Sequence, residues 1–177
     1  MNIIGVSGLP GSGKSLVSDL AIEKGGTIVS MGDIIREEAI KRDEDSQTTA
    51  VKLREEFGQY IVAEMTIEKI KTINDTKLIV VEGIRSPYEV KLFKDNFPTF
   101  KLISIFANRV TRFERLQNRK RADDSSEYEE FLKRDERELN FGIGQVIAES
   151  DKIFINEDNL DSFKKELNNY LDTIILK

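Results

Sequence analysis

Gly8-Leu9-Pro10-Gly11-Ser12-Gly13-Lys14-Ser15 fits the phosphate-loop pattern G-x-x-x-x-G-K-[ST] without a gap. No other stretch constrains the fold as strongly, because the pattern functions only between a buried strand and a helix. Its glycine-rich amides must turn their N–H groups inward, and the helix that follows must aim its positive end at the phosphates. Both flanks fit. Ile3-Ile4-Gly5-Val6-Ser7 is a short apolar run suited to a buried strand, and Leu16-Val17-Ser18-Asp19-Leu20-Ala21-Ile22 carries helical spacing. In that setting Lys14 reaches the β- and γ-phosphates of a nucleoside triphosphate, and Ser15 offers its hydroxyl to Mg²⁺.

Composition narrows the chemistry further. The chain of 177 residues is long enough for one hydrophobic core, which predicts a single domain over residues 1–177. A formal net charge of −5 argues against nucleic acid or an anionic membrane as partner. Cysteine and histidine are both absent, which removes disulfides, thiolate zinc, thiol nucleophiles and imidazole bases. What remains is Lys, Arg, carboxylates, hydroxyls, backbone amides and a metal held by oxygen, a set suited to Mg²⁺ and phosphoryl transfer. No apolar run approaches membrane-spanning length and the N-terminus enters a strand directly, so the expected setting is the cytoplasm. Oligomeric state leaves no signature.

Past the first helix, Lys24-Gly25-Gly26 reads as a stop and turn, and Thr27-Ile28-Val29 as a second strand. In Ser30-Met31-Gly32-Asp33-Ile34-Ile35-Arg36, Asp33 is the expected helix cap, with Arg36 on the first turn. Residues 37 to 49 read as a polar surface connection. One long helix is expected next, with Val51, Leu53, Phe57, Ile61, Val62, Met65 and Ile70 as its apolar face. Within it, Arg54 reads as a solvated arginine and Gly58 as a plain helix glycine, the alternative being that both let a nucleotide approach.

Leu78-Ile79-Val80-Val81 has the continuous apolar character of a central parallel strand and delivers Glu82 to its carboxyl end, where ligands sit in open α/β sheets. Glu82 either serves a cation there or caps the turn that follows. Ser86-Pro87 starts another helix, and Leu102-Ile103-Ser104-Ile105-Phe106 is a fourth strand. Arg112, Arg115 and Arg119 then fall on one helical face, either as phosphate ligands or as a solvated or RNA-binding basic patch. A short polar turn is expected at 122 to 127. The next helix should turn Tyr128, Phe131, Leu132 and Leu139 inward, with Asp135 on the same face and paired to an arginine. Gly142 and Gly144 should stop it. Ile153-Phe154-Ile155 is the last strand, ending at Asn156, and a helix from Leu160 to Leu171 closes the chain.

These segments together resemble adenylate kinases. Gly32-Asp33-x-x-Arg36 is similar to their S-T-G-D-L-L-R segment, with Met31 where threonine is usual. Glu82-Gly83-x-Arg85 is similar to their D-G-F-P-R, and Arg115-x-x-x-Arg119 to their R-I-x-x-R. The whole chain looks most like an archaeal family of adenylate-kinase-related P-loop proteins, close to nucleoside monophosphate kinases and dephospho-CoA kinases. The resemblance implies a three-layer α/β fold with a five-stranded parallel sheet in order 2-3-1-4-5. It also implies a helical acceptor-binding insert at about 33–75 and a short lid at about 119–134. The implied cosubstrate is ATP with Mg²⁺.

By the same resemblance, Gly32, Asp33, Arg36, Gly83 and Arg85 bind the acceptor nucleotide, its phosphate clamped by the two arginines. Asp33 and Glu82 orient waters on Mg²⁺, while Arg115, Arg119 and Arg134 join Lys14 around the transferring group. AMP, CMP, another monophosphate and dephospho-CoA stay open as acceptors. A GTPase is disfavoured because neither D-x-x-G nor [NT]-K-x-D occurs, and a transporter-type ATPase because no S-G-G-Q-like signature does. An ATPase or nucleotide-binding regulatory module without acceptor is the remaining alternative, and it leaves the separated arginines unexplained.

Overall fold

The computed structural model describes residues 1–119 and 127–176. β1 (Asn2–Ser7) leads through the glycine loop into α1 (Ser15–Glu23), and β2 (Thr27–Ser30) runs straight into α2 (Met31–Arg42). Two further helices, α3 (Ser46–Phe57) and α4 (Ile61–Lys71), precede β3 (Leu78–Glu82). The chain continues through α5 (Pro87–Asn96), β4 (Lys101–Phe106), α6 (Arg109–Arg119), α7 (Tyr128–Asn140), α8 (Ile143–Ala148), β5 (Lys152–Ile155) and α9 (Leu160–Ile175).

The strands form one parallel sheet in the expected order β2-β3-β1-β4-β5. Parallel neighbours need crossover connections, and these put helices on both faces. Because side chains alternate along a strand, the apolar runs of β1 and β3 feed two cores at once. Ile3, Ile79 and Val81 meet Val62 and Ile67 of α4, Val90 and Phe93 of α5 and Val146 of α8. On the other face, Ile4, Val6 and Val80 meet Val17 and Ala21 of α1 and Phe163, Leu167 and Leu171 of α9.

Register positions the chemistry. Glu82 lies opposite Val6 on one side and Ser30 on the other, so β1, β2 and β3 end level with one another. The glycine loop, Ser30 and Glu82 are thereby gathered at the carboxyl edge of the sheet.

Several local expectations are corrected. Ser30, not Asp33, caps α2: its hydroxyl accepts from the Asp33 N–H at 3.1 Å, which leaves the Asp33 carboxylate for Arg36. The stretch 37 to 49 is mostly helical, because α2 runs to Arg42 and Asp45 caps α3 by accepting from Gln47 and Thr48. The long helix expected next is two helices, parted at Gly58, whose φ of +93° ends α3. Val51 and Phe57 are exposed, since α3 rests on its neighbours through Thr49 and Leu53 instead. Tyr128 and Leu139 are also substantially exposed, while Phe131, Asp135 and Glu138 form the buried face of α7. Gly142 does follow α7, but Gly144 lies inside α8. The turn expected at 122 to 127 lies outside the described residues except for Glu127, which precedes α7. Among the described residues no helix is long and apolar enough to cross a membrane.

Candidate functional site

The glycine loop supplies the floor of the site. Gly11 has a φ of +81° and sits so close to α6 that an added Cβ would come within 2.6 Å of the Arg112 carbonyl oxygen. Gly13, at φ +99°, lies against the Asn156 side chain. Only glycine combines these backbone angles with this close approach. Lys14 precedes α1 with no side-chain cap on the helix; the Leu16 and Val17 amides of the first turn donate instead to the Gly13 and Lys14 carbonyls, at 3.2 and 2.9 Å. The Ser12 hydroxyl is buried without a hydrogen-bond partner among the described residues. A phosphate oxygen would satisfy that hydroxyl, and the positive end of α1 favours its charge.

Lys14 donates to the carbonyls of Gly8 at 2.7 Å and Leu9 at 3.1 Å. Although the residue keeps some solvent contact, the atoms packed around its ammonium cost it hydration, and burial pushes its pKa down to about 8. Glu138 and Glu82 oppose that shift, and the positive charges of Arg85 and Arg134 reinforce it.

A cleft of about 630 Å³ opens beyond the loop, within the range of small-molecule sites. Its walls include Gly11, Gly13, Lys14 and Ser15 from the loop and Gly32 and Arg36 from α2. Glu82, Gly83 and Arg85 come from the end of β3, and Arg115 and Arg119 from α6. Thus most of the residues expected to serve donor and acceptor share one cavity. Asp33 is not among its lining residues: its carboxylate holds Arg36 beside the cleft. Arg134 and Gly8 line a smaller adjoining cavity of about 210 Å³ together with Lys14, Gly83, Arg85, Arg119 and Glu138. Glu82 accepts a hydrogen bond from Ser18 of α1, which fixes its carboxylate toward the loop.

The arginines of α6 divide by depth. Arg112 is 3% exposed and forms a two-pronged pair with buried Asp135, Nη1 to Oδ1 at 2.7 Å and Nη2 to Oδ2 at 2.5 Å. It also donates to the carbonyls of Ala107 and Pro10, each at 3.1 Å, and so fastens the glycine loop to α6 and α7. The pairing of Asp135 with an arginine agrees with the sequence expectation. Arg115 donates through Nη2 to the Asn156 carbonyl at 2.8 Å, while its buried Nη1 has no hydrogen-bond partner among the described residues.

Asn156 in turn donates to the Ser12 carbonyl at 2.8 Å, which ties the end of β5 to the loop. Its role was invisible in the sequence, where it marks only a strand end. Arg54, expected in solvent, has a side chain only 12% exposed, pairs with Glu89 at 3.3 Å and lies over the Phe141 ring. The capping pattern Ser86-x-x-Glu89 was the available signal for Glu89, whose Oε2 accepts from the Arg85 and Ser86 amides.

The donor set suits a nucleoside triphosphate with Mg²⁺. The loop amides, Lys14 and the α6 arginines are cations and donors for phosphate oxygens. Among the described residues no three acidic side chains converge to hold a metal by themselves. An ion at Ser15 would therefore take most of its ligands from phosphates and water, the usual habit of Mg²⁺.

Comparison with known proteins supports this assignment of fold. Residues 7–132 match the AAA domain family. A UPF0200 protein of Methanothermobacter thermautotrophicus is 52% identical, over 94% of this chain and 87% of that one. One from Methanocaldococcus jannaschii is 42% identical, over 99% and 91%. Among solved structures, TT1252 from Thermus thermophilus superposes with a TM-score of 0.63 at 19% identity, covering 97% of both chains. Shikimate kinase from Bacteroides thetaiotaomicron gives 0.62 at 16%, covering 97% and 98%. At such identities these two structures speak for the kinase-like P-loop fold alone. By its AAA domain and its archaeal relatives, the chain belongs to the UPF0200 protein family.

Proposed function

We propose that the protein is an ATP-dependent nucleotide kinase, which moves the γ-phosphoryl of Mg·ATP to an oxygen of a second nucleotide in the cytoplasm. One observation carries this reading. Arg36 and Arg85 follow two different strands and face the same 630 Å³ cleft as Lys14, Ser15, Arg115 and Arg119. A single triphosphate is already served by the loop and α6, so a second pair of guanidinium groups, held in place by Asp33 and Glu138, is available to a second anion. The adenylate-kinase resemblance supports the same division of labour, and AMP, CMP, another monophosphate and dephospho-CoA are the candidate acceptors.

The residues would act without a covalent intermediate. The loop from Gly8 to Ser15 cradles the triphosphate, and Lys14 leaves the Gly8 and Leu9 carbonyls to meet its β- and γ-oxygens. Ser15 and Glu82 line the cleft where Mg²⁺ would be held, the serine by its hydroxyl and the glutamate through water; Asp33, outside that lining and paired with Arg36, would reach such waters only on leaving the arginine, and the ion would supply neutralisation of charge on the phosphate oxygens. Arg115, Arg119 and Arg134 stabilise the transferring group, and Arg36 and Arg85 hold the acceptor in line, next to Gly32 and Gly83. In this reading residues 1–177 are one domain, 33–75 form the acceptor-binding insert and 119–134 the lid, of which 120–126 lie outside the described residues.

The test is calorimetry with AMP, dephospho-CoA and a non-hydrolysable ATP analogue. Arg36→Ala and Arg85→Ala should each weaken acceptor binding by roughly ten- to a hundredfold, as expected for losing a hydrogen bond between charged groups. The affinity for the ATP analogue should barely change. Equal losses for both ligands would refute the division into donor and acceptor sites.

A further inference from the structure

One buried acid is left without a role by the mechanism above. Glu138, on α7, is 8% exposed, and its side chain faces the 210 Å³ cavity that joins the glycine loop to the acceptor side. Gly8, Gly11 and Lys14 of the loop share that cavity with Gly83, Arg85, Arg119 and Arg134. Its Oε1 lies 3.1 Å from Arg85 Nη1. Of the neighbouring charges, Glu138 acts most strongly on Lys14. The carboxylate thus pairs with the arginine expected at the acceptor and lines one cavity with the lysine expected at the γ-phosphate.

The type of acceptor decides what such an acid can do. A phosphate acceptor is ionised at neutral pH and has no proton to lose, so a carboxylate beside its attacking oxygen would only repel it. A hydroxyl acceptor must give up its proton as it attacks, and a positioned base assists that step. A carboxylate offers about four lone-pair sites, so the contact with Arg85 leaves capacity to accept a proton. Asp33 is less suited to this task. Its side chain is 53% exposed, is held by Arg36 and does not line the cleft.

We propose that Glu138 is a catalytic residue, the general base of a transfer to a hydroxyl group, and that the acceptor is therefore an alcohol-bearing nucleotide instead of a terminal phosphate. Glu138 takes the hydroxyl proton as the acceptor oxygen forms its bond to the γ-phosphorus. The bond from that phosphorus to the β,γ-bridging oxygen breaks, its electron pair stays on ADP, and Glu138 releases the proton to solvent. The products are a phosphomonoester, ADP and H⁺. This rests on the kinase reading given above. Water is the smallest hydroxyl able to reach the same carboxylate, so slow hydrolysis of ATP should depend on Glu138 as well.

The experiment compares wild type with Glu138→Gln and Glu138→Asp in the full chain. Dephospho-CoA and adenosine serve as hydroxyl acceptors, AMP and CMP as phosphate acceptors, and basal ATP hydrolysis is followed in parallel. Phosphorus NMR separates a phosphomonoester product from a phosphoanhydride. Glu138→Gln should lower both hydroxyl transfer and basal hydrolysis by at least about a hundredfold, the usual worth of a general base. It should leave the affinity for the non-hydrolysable analogue within about twofold, whereas general loss of the site would not. Glu138→Asp should retain an intermediate rate. A phosphoanhydride product from AMP or CMP as the main reaction would overturn the proposal, as would unchanged or faster turnover in Glu138→Gln. Those outcomes leave the kinase reading standing. Failure of wild type to bind the analogue at all would remove both.

Discussion

Replacing Asp135 by alanine tests whether the glycine loop is held in shape from behind. Asp135 and Arg112 are 2% and 3% exposed, and their two-pronged contact is the centre of the seam between α6 and α7. Without the carboxylate, Arg112 would keep its bonds to Ala107 and Pro10 and its place over the Phe131 ring, but its charge would be uncompensated. Arg109, 3.7 Å from Asp135, would lose the same partner. Breaking a buried pair from one side typically costs about 3–5 kcal/mol. For a chain of this size each kcal/mol lowers Tm by about 2–4 °C, so thermal unfolding followed by circular dichroism should show a drop of about 6–20 °C.

The double variant Arg112→Met, Asp135→Leu should recover much of that stability, because an apolar pair avoids the desolvation of two ions. It should not recover nucleotide affinity, since the tether from Arg112 to the Pro10 carbonyl would still be missing. A loss under about 1 kcal/mol in Asp135→Ala, the range of a surface pair, would refute the reasoning.

Lys14→Ala should lower phosphoryl transfer on the order of a hundredfold or more while the fold persists, read by steady-state kinetics beside circular dichroism. The lowered pKa of Lys14 gives a pH prediction. Its folded value of about 8 lies below the ordinary 10.5, so the unfolded chain binds the extra proton between these limits and this group's contribution to stability rises with pH across that window. Phosphate oxygens favour the ammonium form. Binding of the ATP analogue should therefore take up protons above pH 8 and few at pH 7, as measured by calorimetry in buffers of different ionisation enthalpy; uptake that does not grow with pH would contradict it. Gly11→Ala should cripple nucleotide binding, because its Cβ would strike the Arg112 backbone at a φ that alanine rarely adopts; retained affinity in a binding titration would count against the described loop.

The sheet and the glycine loop were legible because their signals are local. Apolar runs for β1, β3 and β4 and a gapless motif suffice to place a parallel strand, a phosphate loop and a helix. The helix starts were partly legible. Ser30-x-x-Asp33 is itself a capping pattern, and reading Asp33 as the cap missed it by giving the aspartate the serine's role. The buried charges that the sequence hides share a cause. Arg54, Arg112 and Glu138 sit on helices rich in charge, where a solvated face is the ordinary expectation, and each is buried only because a partner distant in sequence meets it. Arg54 finds Glu89 and Glu138 finds Arg85, which helical periodicity has no means to show; for Asp135 it shows the inward face and the need for an arginine, but not that the arginine is Arg112. The split at Gly58 was missed for a different reason: apolar residues continue at helical spacing across it, and only the φ of +93° breaks the backbone.

Transfer of a phosphoryl group between two bound nucleotides leaves a product that hydrolysis does not, and that product can be identified. Purified protein with Mg·ATP is offered AMP, CMP and dephospho-CoA in turn, ADP release is followed by a coupled assay, and the acceptor is weighed by mass spectrometry. One acceptor should gain the mass of a phosphoryl group in step with ADP formed, and the gain should be abolished in Lys14→Ala. ADP and inorganic phosphate appearing in equal amounts with every acceptor unchanged in mass would contradict it and leave an ATPase in its place.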